Sequence, residues 1–128
     1  MKFDPIKLYK AIVSISPNAQ YVCDGDCYEG LTWCNEEYKP TEEEIVQKIA
    51  ELDYQEEVEV YKEQRVAEYP PYADQFDKIF HSGVNAWKTQ IKAIKDKYPK
   101  QTMDPDVLAE RKRQALEDLE ASRSSEES

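Results

Sequence analysis

Apolar residues along the 128-residue chain recur mostly at helical spacing, and one short stretch has the composition of β-strands. The first helix is indicated by Asp4 as an N-cap and Pro5 at the first helical position. Its apolar residues, which recur at helical spacing up to Ser16 and Pro17, are Ile6, Tyr9, Ile12 and Val13. This pattern predicts one short amphipathic helix near the N-terminus.

Two segments rich in aromatic and β-branched residues follow, AQYVC and LTWCN, and both are typical of strands. The intervening DGDCYEG contains the glycines and aspartates that suit a turn. Alternation along a strand places Tyr21 and Cys23 on one face, and it likewise places Leu31 and Trp33 on one face. We therefore expect a two-stranded hairpin that packs on the first helix.

The remaining apolar positions predict four further helices, over residues 42–68, 72–80, 84–98 and 104–120. The first begins at KPTEEEI, where Thr41 and Glu44 have capping-box spacing. The second, after the Pro70-Pro71 corner, is expected to turn three residues inward: Phe76, Ile79 and Phe80. The third has a stripe whose members, after Val84, are spaced three or four residues apart: Trp87, Ile91, Ile94 and Tyr98.

These elements predict an α+β chain that is mostly helical, with a small N-terminal helix plus hairpin, a long linking helix and a C-terminal helical oligomerisation module. The predicted domains are residues 1–40, the hairpin element, and residues 41–120, the helical domain. The polar tail over 121–128 is expected to be disordered. Narrow apolar faces in so short a chain favour a subunit or partner interface for the stripe at 87–98 over an intrachain core.

Charge and composition exclude several classes of function. The net charge of −10 argues against a nucleic-acid binder, since phosphate neutralisation needs a basic surface. Three glycines and no Gly-rich phosphate loop make phosphate chemistry improbable. The N-terminus has no secretory pattern and no run approaches the ~20 apolar residues of a membrane span, so we expect a soluble protein made in a cytoplasm.

Residue types that could carry chemistry are few. Cys23, Cys27 and Cys34 have no fourth ligand nearby, so ordinary reduced thiols are favoured over structural zinc. His81, the only histidine, is interpreted as a helix C-cap rather than as a catalytic base, because no nucleophile motif such as G-x-S-x-G accompanies it. The sequence thus predicts no catalytic residue, no metal site and no cofactor.

Residues 67–100, AEYPPYADQFDKIFHSGVNAWKTQIKAIKDKYPK, follow a pattern that begins Y-P-x-x-x-D-Q-hydrophobic-D and ends I-x-A-V-K-x-K-Y-P-K, with a tryptophan between and with Ile94 in place of the valine. The pattern resembles a module of small bacteriophage tail proteins. Three segments nearer the N-terminus resemble companions of that module: S-x-x-P-N-A-Q-Y-V at 14–22, L-x-W at 31–33 and P-T-E-E-E-I at 40–45. The similarity covers about residues 8 to 100.

The resemblance implies a non-enzymatic tail-fibre assembly chaperone or fibre-bound accessory protein, active in the host cytoplasm during phage assembly. It implies a phage tail fibre as the partner and a homo-oligomer, a trimer, around that fibre. The alternative is a permanent structural component of the tail or baseplate, retained in the virion. A third class, a small hydrolase or redox enzyme using Cys23 or Cys27, would require thiol-dependent turnover.

Two sets of residues are predicted to carry these contacts. The oligomer or partner interface comprises Phe76, Ile79, Phe80, Trp87, Ile91, Ile94 and Tyr98. The candidate fibre contacts on the hairpin are Tyr21, Leu31 and Trp33.

Overall fold

The computed structural model describes residues 1–127, with side chains through residue 125. In this part of the chain the predicted class, mostly helical α+β, is confirmed. The elements are α1 (Pro5–Ile15), β1 (Tyr21–Cys23), β2 (Leu31–Trp33), α2 (Glu42–Glu68), α3 (Tyr72–Ser82), α4 (Val84–Lys97) and α5 (Pro105–Glu127). A single 3₁₀ turn, Tyr28–Gly30, lies between the strands.

Two helices, α1 and α2, begin at the side-chain caps that the sequence predicts. The Asp4 carboxylate accepts hydrogen bonds from the backbone N–H of Ile6 at 2.8 Å and of Lys7 at 3.3 Å. Thr41 and Glu44 form the reciprocal capping box: the Glu44 N–H donates to Thr41 Oγ1 at 3.1 Å, and the Thr41 N–H donates to Glu44 Oε1 at 3.4 Å. These bonds satisfy donors that a helix start otherwise leaves unpaired.

The two strands form an antiparallel hairpin whose register places Tyr21 opposite Trp33 and Cys23 opposite Leu31. Directly opposed residues lie on the same face of a sheet, so these four side chains share one face, which packs against the hydrophobic core. The Phe3 N–H donates to the Asp26 carbonyl at 2.7 Å and fastens the N-terminal segment to the turn of the hairpin.

The chain divides into two compact units at positions that differ from the predicted domains. Unit 1 comprises residues 1–55 and the chain from Met103 onward, and unit 2 comprises Glu56–Thr102. The buried core of unit 1 is formed by Phe3, Leu8, Ala11, Ile12, Leu31, Ile45, Val46 and Leu119. Because Leu119 on α5 packs in the same core as α1 and the hairpin, the last helix belongs with the N-terminal elements and the predicted boundary at residue 40 is not a structural division.

Residues 121–127 are helical, although the sequence predicted a disordered tail from residue 121; residue 128 lies outside the described part. The end of this helix is held by ion pairs between residues that are about 80 positions apart in the sequence. The Arg123 guanidinium lies 3.1 Å from Glu42 Oε1 and 2.7 Å from Glu43 Oε1, both at the start of α2. This contact holds the end of α5 against α2, which polar composition alone does not reveal.

The buried face of α1 also differs from the one that its N-terminal apolar residues suggest. Leu8, Ala11 and Ile12 are buried, whereas Ile6 and Tyr9 are 66% and 58% exposed. Residues spaced by three and four positions share a helical face, and here the face through Leu8 and Ile12 is the one that packs against the core.

Candidate interaction surface

A row of exposed aromatic side chains runs along α3. Tyr72, Phe76 and Phe80 are spaced four residues apart, so they form one ridge of the helix, and they are 79%, 68% and 84% exposed. We call these three residues the α3 ridge. The prediction that Phe76 and Phe80 turn inward is wrong, because α3 has no fully buried residue and only the half-buried Ile79 of that set is shielded.

One side-chain amide, that of Gln75, joins α3 to neighbouring parts of unit 2. The Gln75 side chain donates to the Pro70 carbonyl at 2.7 Å, and its Oε1 accepts a hydrogen bond from the Trp87 indole N–H at 3.1 Å. Gln75 thus joins the Pro-Pro corner, α3 and α4. The ridge is presented by a helix whose orientation is set by these bonds.

The corner between α3 and α4 is a single residue. Gly83 has φ of +84° and lies between Ser82, the last residue of α3, and Val84, the first of α4. A side chain is strained at such a φ even though open space surrounds the Cα of Gly83. Glycine therefore lets the chain reverse at this corner, which keeps α3 packed against α4.

The α4 stripe, formed by Trp87, Ile91 and Ile94 of α4 and by its C-cap residue Tyr98, is half-buried. Intrachain bonds account for part of this coverage: Arg65 Nε donates to the Tyr98 carbonyl at 2.8 Å, and the Tyr98 hydroxyl donates to Glu68 at 2.5 Å. The hydrogen bond to Glu68 raises the pKa of Tyr98. The pKa of Glu68 is lowered, first by the hydrogen bond from Lys97 at 2.6 Å. The stripe is therefore in part a packing surface within unit 2.

The three hairpin residues predicted to contact a fibre occupy different environments. Leu31 is 7% exposed and belongs to the core of unit 1, so the prediction of a partner contact for Leu31 is wrong. Tyr21 and Trp33 are half-buried and stacked, with ring centroids 5.7 Å apart and ring planes 11° apart. The Trp33 indole N–H donates to the Glu37 carbonyl at 2.7 Å. For Tyr21 and Trp33, contact with a fibre stays a prediction.

The three cysteines and the histidine make separate contacts and form no common cluster among the described residues. All three thiols are free, and Cys23 Sγ donates to the Gly25 carbonyl at 3.2 Å. Burial is the largest cause that raises the pKa of the Cys27 thiol, followed by its hydrogen bond to Asp26, so the reactive thiolate is disfavoured. Among the described side chains, which end at residue 125, no group of three or more acidic, histidine or cysteine residues could hold a metal ion. His81 packs edge-on against Phe80, with centroids 5.0 Å apart.

Unit 1 has a groove of about 420 Å³ between its N-terminal segment, α2 and α5. Phe3, Val46 and Ile49 contribute apolar surface, and a Lys7–Asp53 ion pair of 3.3 Å lies among the lining residues. Its lining carries both signs of charge, so neither an anionic nor a cationic ligand is favoured.

The sequence prediction of the interface does not include Tyr72, which marks only the start of the predicted second helix. The spacing of Tyr72, Phe76 and Phe80 was the available signal, since four-residue steps keep side chains on one ridge. What the sequence does not provide is the identity of the neighbour that covers each side of α3.

No helix in the described part of the chain is both long and apolar enough to cross a membrane. Comparison of the chain with protein-family models, curated proteins and solved structures finds no match.

Proposed function

We propose that the chain is a non-enzymatic partner-binding protein that acts as a bacteriophage tail-fibre assembly chaperone or fibre-bound accessory protein. Its role is to cover apolar surface of the fibre chain until the fibre trimer has formed. The partner class comes from the sequence resemblance. The structural observation that supports a binding role is the exposed α3 ridge.

Single exposed apolar residues are ordinary on protein surfaces, whereas contiguous apolar patches are typical of interaction sites. The α3 ridge presents three large aromatic side chains in adjacent turns of one helix. Aromatic residues dominate the binding energy of protein interfaces because they bury large areas with few rotatable bonds. A row of this kind suits contact with an apolar groove or helix on a fibre chain.

Co-expression of the chain with the fibre gene that neighbours it tests this proposal. We expect the fibre to be recovered soluble and trimeric in larger yield with the wild-type chain, and a complex of the two proteins to be captured through a tag. Phe76→Ala and Phe80→Ala together should lower both yields. Ile6→Ala is the matched control, because Ile6 on α1 is exposed to nearly the same extent as Phe76.

Capture that is unchanged by the double substitution would contradict the use of the ridge, and the absence of any complex with the wild-type chain would contradict the function. Co-purification with mature particles separates the chaperone from the alternative, a permanent tail or baseplate component. A chaperone leaves the particle, whereas a structural component is recovered in fixed stoichiometry.

A further inference from the structure

We infer that, in the absence of another partner, the α3 ridge is covered by the same ridge of a second copy of this chain, in a two-fold pair centred on Phe76. This pairing concerns the free protein and does not depend on the identity of a fibre. Three properties of the ridge favour a second copy over other occupants: its symmetry, its area and its charge.

The ridge is nearly symmetric about its middle residue. Tyr72 and Phe80 each lie four residues from Phe76, one before it and one after it. In an antiparallel pair with its two-fold axis at Phe76, Tyr72 of each copy lies level with Phe80 of the other, and the two Phe76 rings meet at the axis. A two-fold interface needs a surface that is complementary to itself, and rows with four-residue spacing interdigitate when helices cross at about −50°.

The area of the ridge is close to that needed by a stable dimer. At about 200 Å² for each aromatic side chain, exposures of 79%, 68% and 84% leave about 450 Å² per copy. Two copies together could therefore bury about 900 Å² of aromatic surface, and stable interfaces bury about 1,200 Å² or more in total. The residues that flank the ridge on α3 then need to supply only the remaining quarter of the about 1,200 Å² of buried surface.

Net charge does not oppose contact between two copies of unit 2. Unit 2 carries eight acidic and eight basic residues, so the net charge of −10 belongs to unit 1. On α3 itself, Asp77 lies about 100° around the helix from Phe76, and Asp74 and Lys78 lie about 160° from it. The three ridge residues themselves carry no charge, as is usual at the centre of a homodimer interface, and the charged side chain of α3 nearest to them is Asp77, about 60° around the helix from Phe80. Antiparallel α3 helices also bring opposite ends of their dipoles together.

The pairing has a consequence for binding that does rest on the proposed function. If the fibre uses the same ridge, a second copy and a fibre chain compete for it. The free protein then keeps its apolar ridge covered until the fibre displaces the second copy.

Sedimentation equilibrium of the full chain, over a range of concentrations, tests the pairing. The wild type should reach twice the chain mass of 15.0 kDa. Phe76→Glu should weaken association about a thousandfold, because the change enters a two-fold interface twice and one lost aromatic anchor costs about thirtyfold. Ile6→Glu, at an equally exposed position outside the ridge, should keep the wild-type mass. Far-ultraviolet circular dichroism checks that each variant keeps its helices.

A wild type that stays monomeric at the highest concentration tested, or one that forms trimers, would overturn the two-fold pair. A folded Phe76→Glu variant with the wild-type association constant would overturn the ridge as its interface. Addition of purified fibre chain then separates the two proposals: a dimer that ignores the fibre contradicts the proposed function alone, and a fibre complex built from a monomeric chain contradicts the pairing alone.

Discussion

At the scale of single residues, the starts of α1 and α2 depend on side-chain oxygens that accept hydrogen bonds from otherwise unpaired backbone N–H groups. Glu44 is the most heavily used of these acceptors. It accepts from the Thr41 N–H and hydroxyl and from the Tyr38 hydroxyl. Such bonds are stronger to a charged carboxylate than to a neutral carboxyl group, so the capping box at the start of α2 links stability to pH.

The acid limb of the stability profile should depend on Glu44. Its pKa lies below its ordinary value of 4.5, first because of the hydrogen bond from Tyr38 and also because of those from Thr41. A carboxyl group with a lowered folded pKa stabilises the protein above its ordinary pKa, and this contribution is lost as the pH falls through the folded value. We expect Glu44→Gln to lower the melting temperature near neutral pH and to flatten its decline below about pH 4.5.

Melting temperature measured against pH by circular dichroism checks this expectation. Glu36→Gln is the matched control, because Glu36 is exposed and lies outside the capping box. Tyr38→Phe should act in the same direction as Glu44→Gln, since it removes the first cause of the lowered pKa. Identical profiles for wild type and Glu44→Gln would show that the capping box contributes no pH-dependent stability.

A second contact between single residues, the ion pair of Arg123 with Glu42, holds the end of α5 against the start of α2. Glu42 has a side chain only 6% exposed, and its Oε2 has no hydrogen-bond partner while Oε1 faces Arg123. Arg123→Gln should therefore leave a buried carboxylate without its cation, a situation that typically costs about 1–3 kcal/mol for the carboxylate. Urea unfolding of the variant should give a lower midpoint.

The control for this change is Arg113→Gln, because Arg113 pairs with Glu110 and Glu117 of its own helix and all three side chains are exposed. Exposed pairs of this kind stabilise a helix little. If both substitutions lower the midpoint equally, the long-range contact of Arg123 has no special role in holding the end of α5.

At the scale of elements, α3 and α4 show what apolar spacing predicts and what it leaves open. Apolar spacing and the Pro70-Pro71 corner placed both helices to within two residues, because these signals are local. Which face is covered depends on neighbours that are distant in sequence or on another chain. Phe80 is therefore exposed although it was expected to face inward, whereas Trp87, expected at an interface, is half-buried and bonded to Gln75.

This difference predicts opposite outcomes for two aromatic truncations. Trp87→Ala should cost about 2 kcal/mol of unfolding free energy, less than the ~3–5 kcal/mol of a fully buried aromatic, because Trp87 is only half-buried. Phe80→Ala should change the stability of the folded monomer by less than about 0.5 kcal/mol, as surface substitutions usually do. Urea unfolding at a concentration too low for association measures both values.

Trp87→Phe keeps an aromatic ring but removes the indole N–H. Its unfolding free energy should lie between those of wild type and Trp87→Ala. Stability that is equally sensitive at positions 80 and 87 would mean that the ridge packs inside the monomer. If substitution of Trp87 leaves the unfolding free energy unchanged, the α4 stripe serves association alone, as the sequence predicts.

At the scale of the whole molecule, unit 1 is assembled from segments at both ends of the chain. Leu119 packs with Leu8 and Ile12 in one core although more than a hundred residues separate them. The sequence identifies Leu119 only as an apolar position of an amphipathic helix. It does not indicate which other elements Leu119 packs against. The class and elements of the fold were therefore predictable from local signals, whereas the division into units was not.

The role of α5 in unit 1 can be measured because each unit contains one tryptophan, Trp33 in unit 1 and Trp87 in unit 2. In a Trp87→Phe background, Trp33 fluorescence reports the unfolding of unit 1. Leu119→Ala should lower that unfolding free energy by about 2–5 kcal/mol, the range for a large-to-small change in a well-packed core. Val107→Ala on the same helix should cost far less, because Val107 is exposed. Equal effects of the two substitutions on the Trp33 transition would contradict the placement of α5 in the core of unit 1, since a helix outside that core has no reason to distinguish position 119 from position 107.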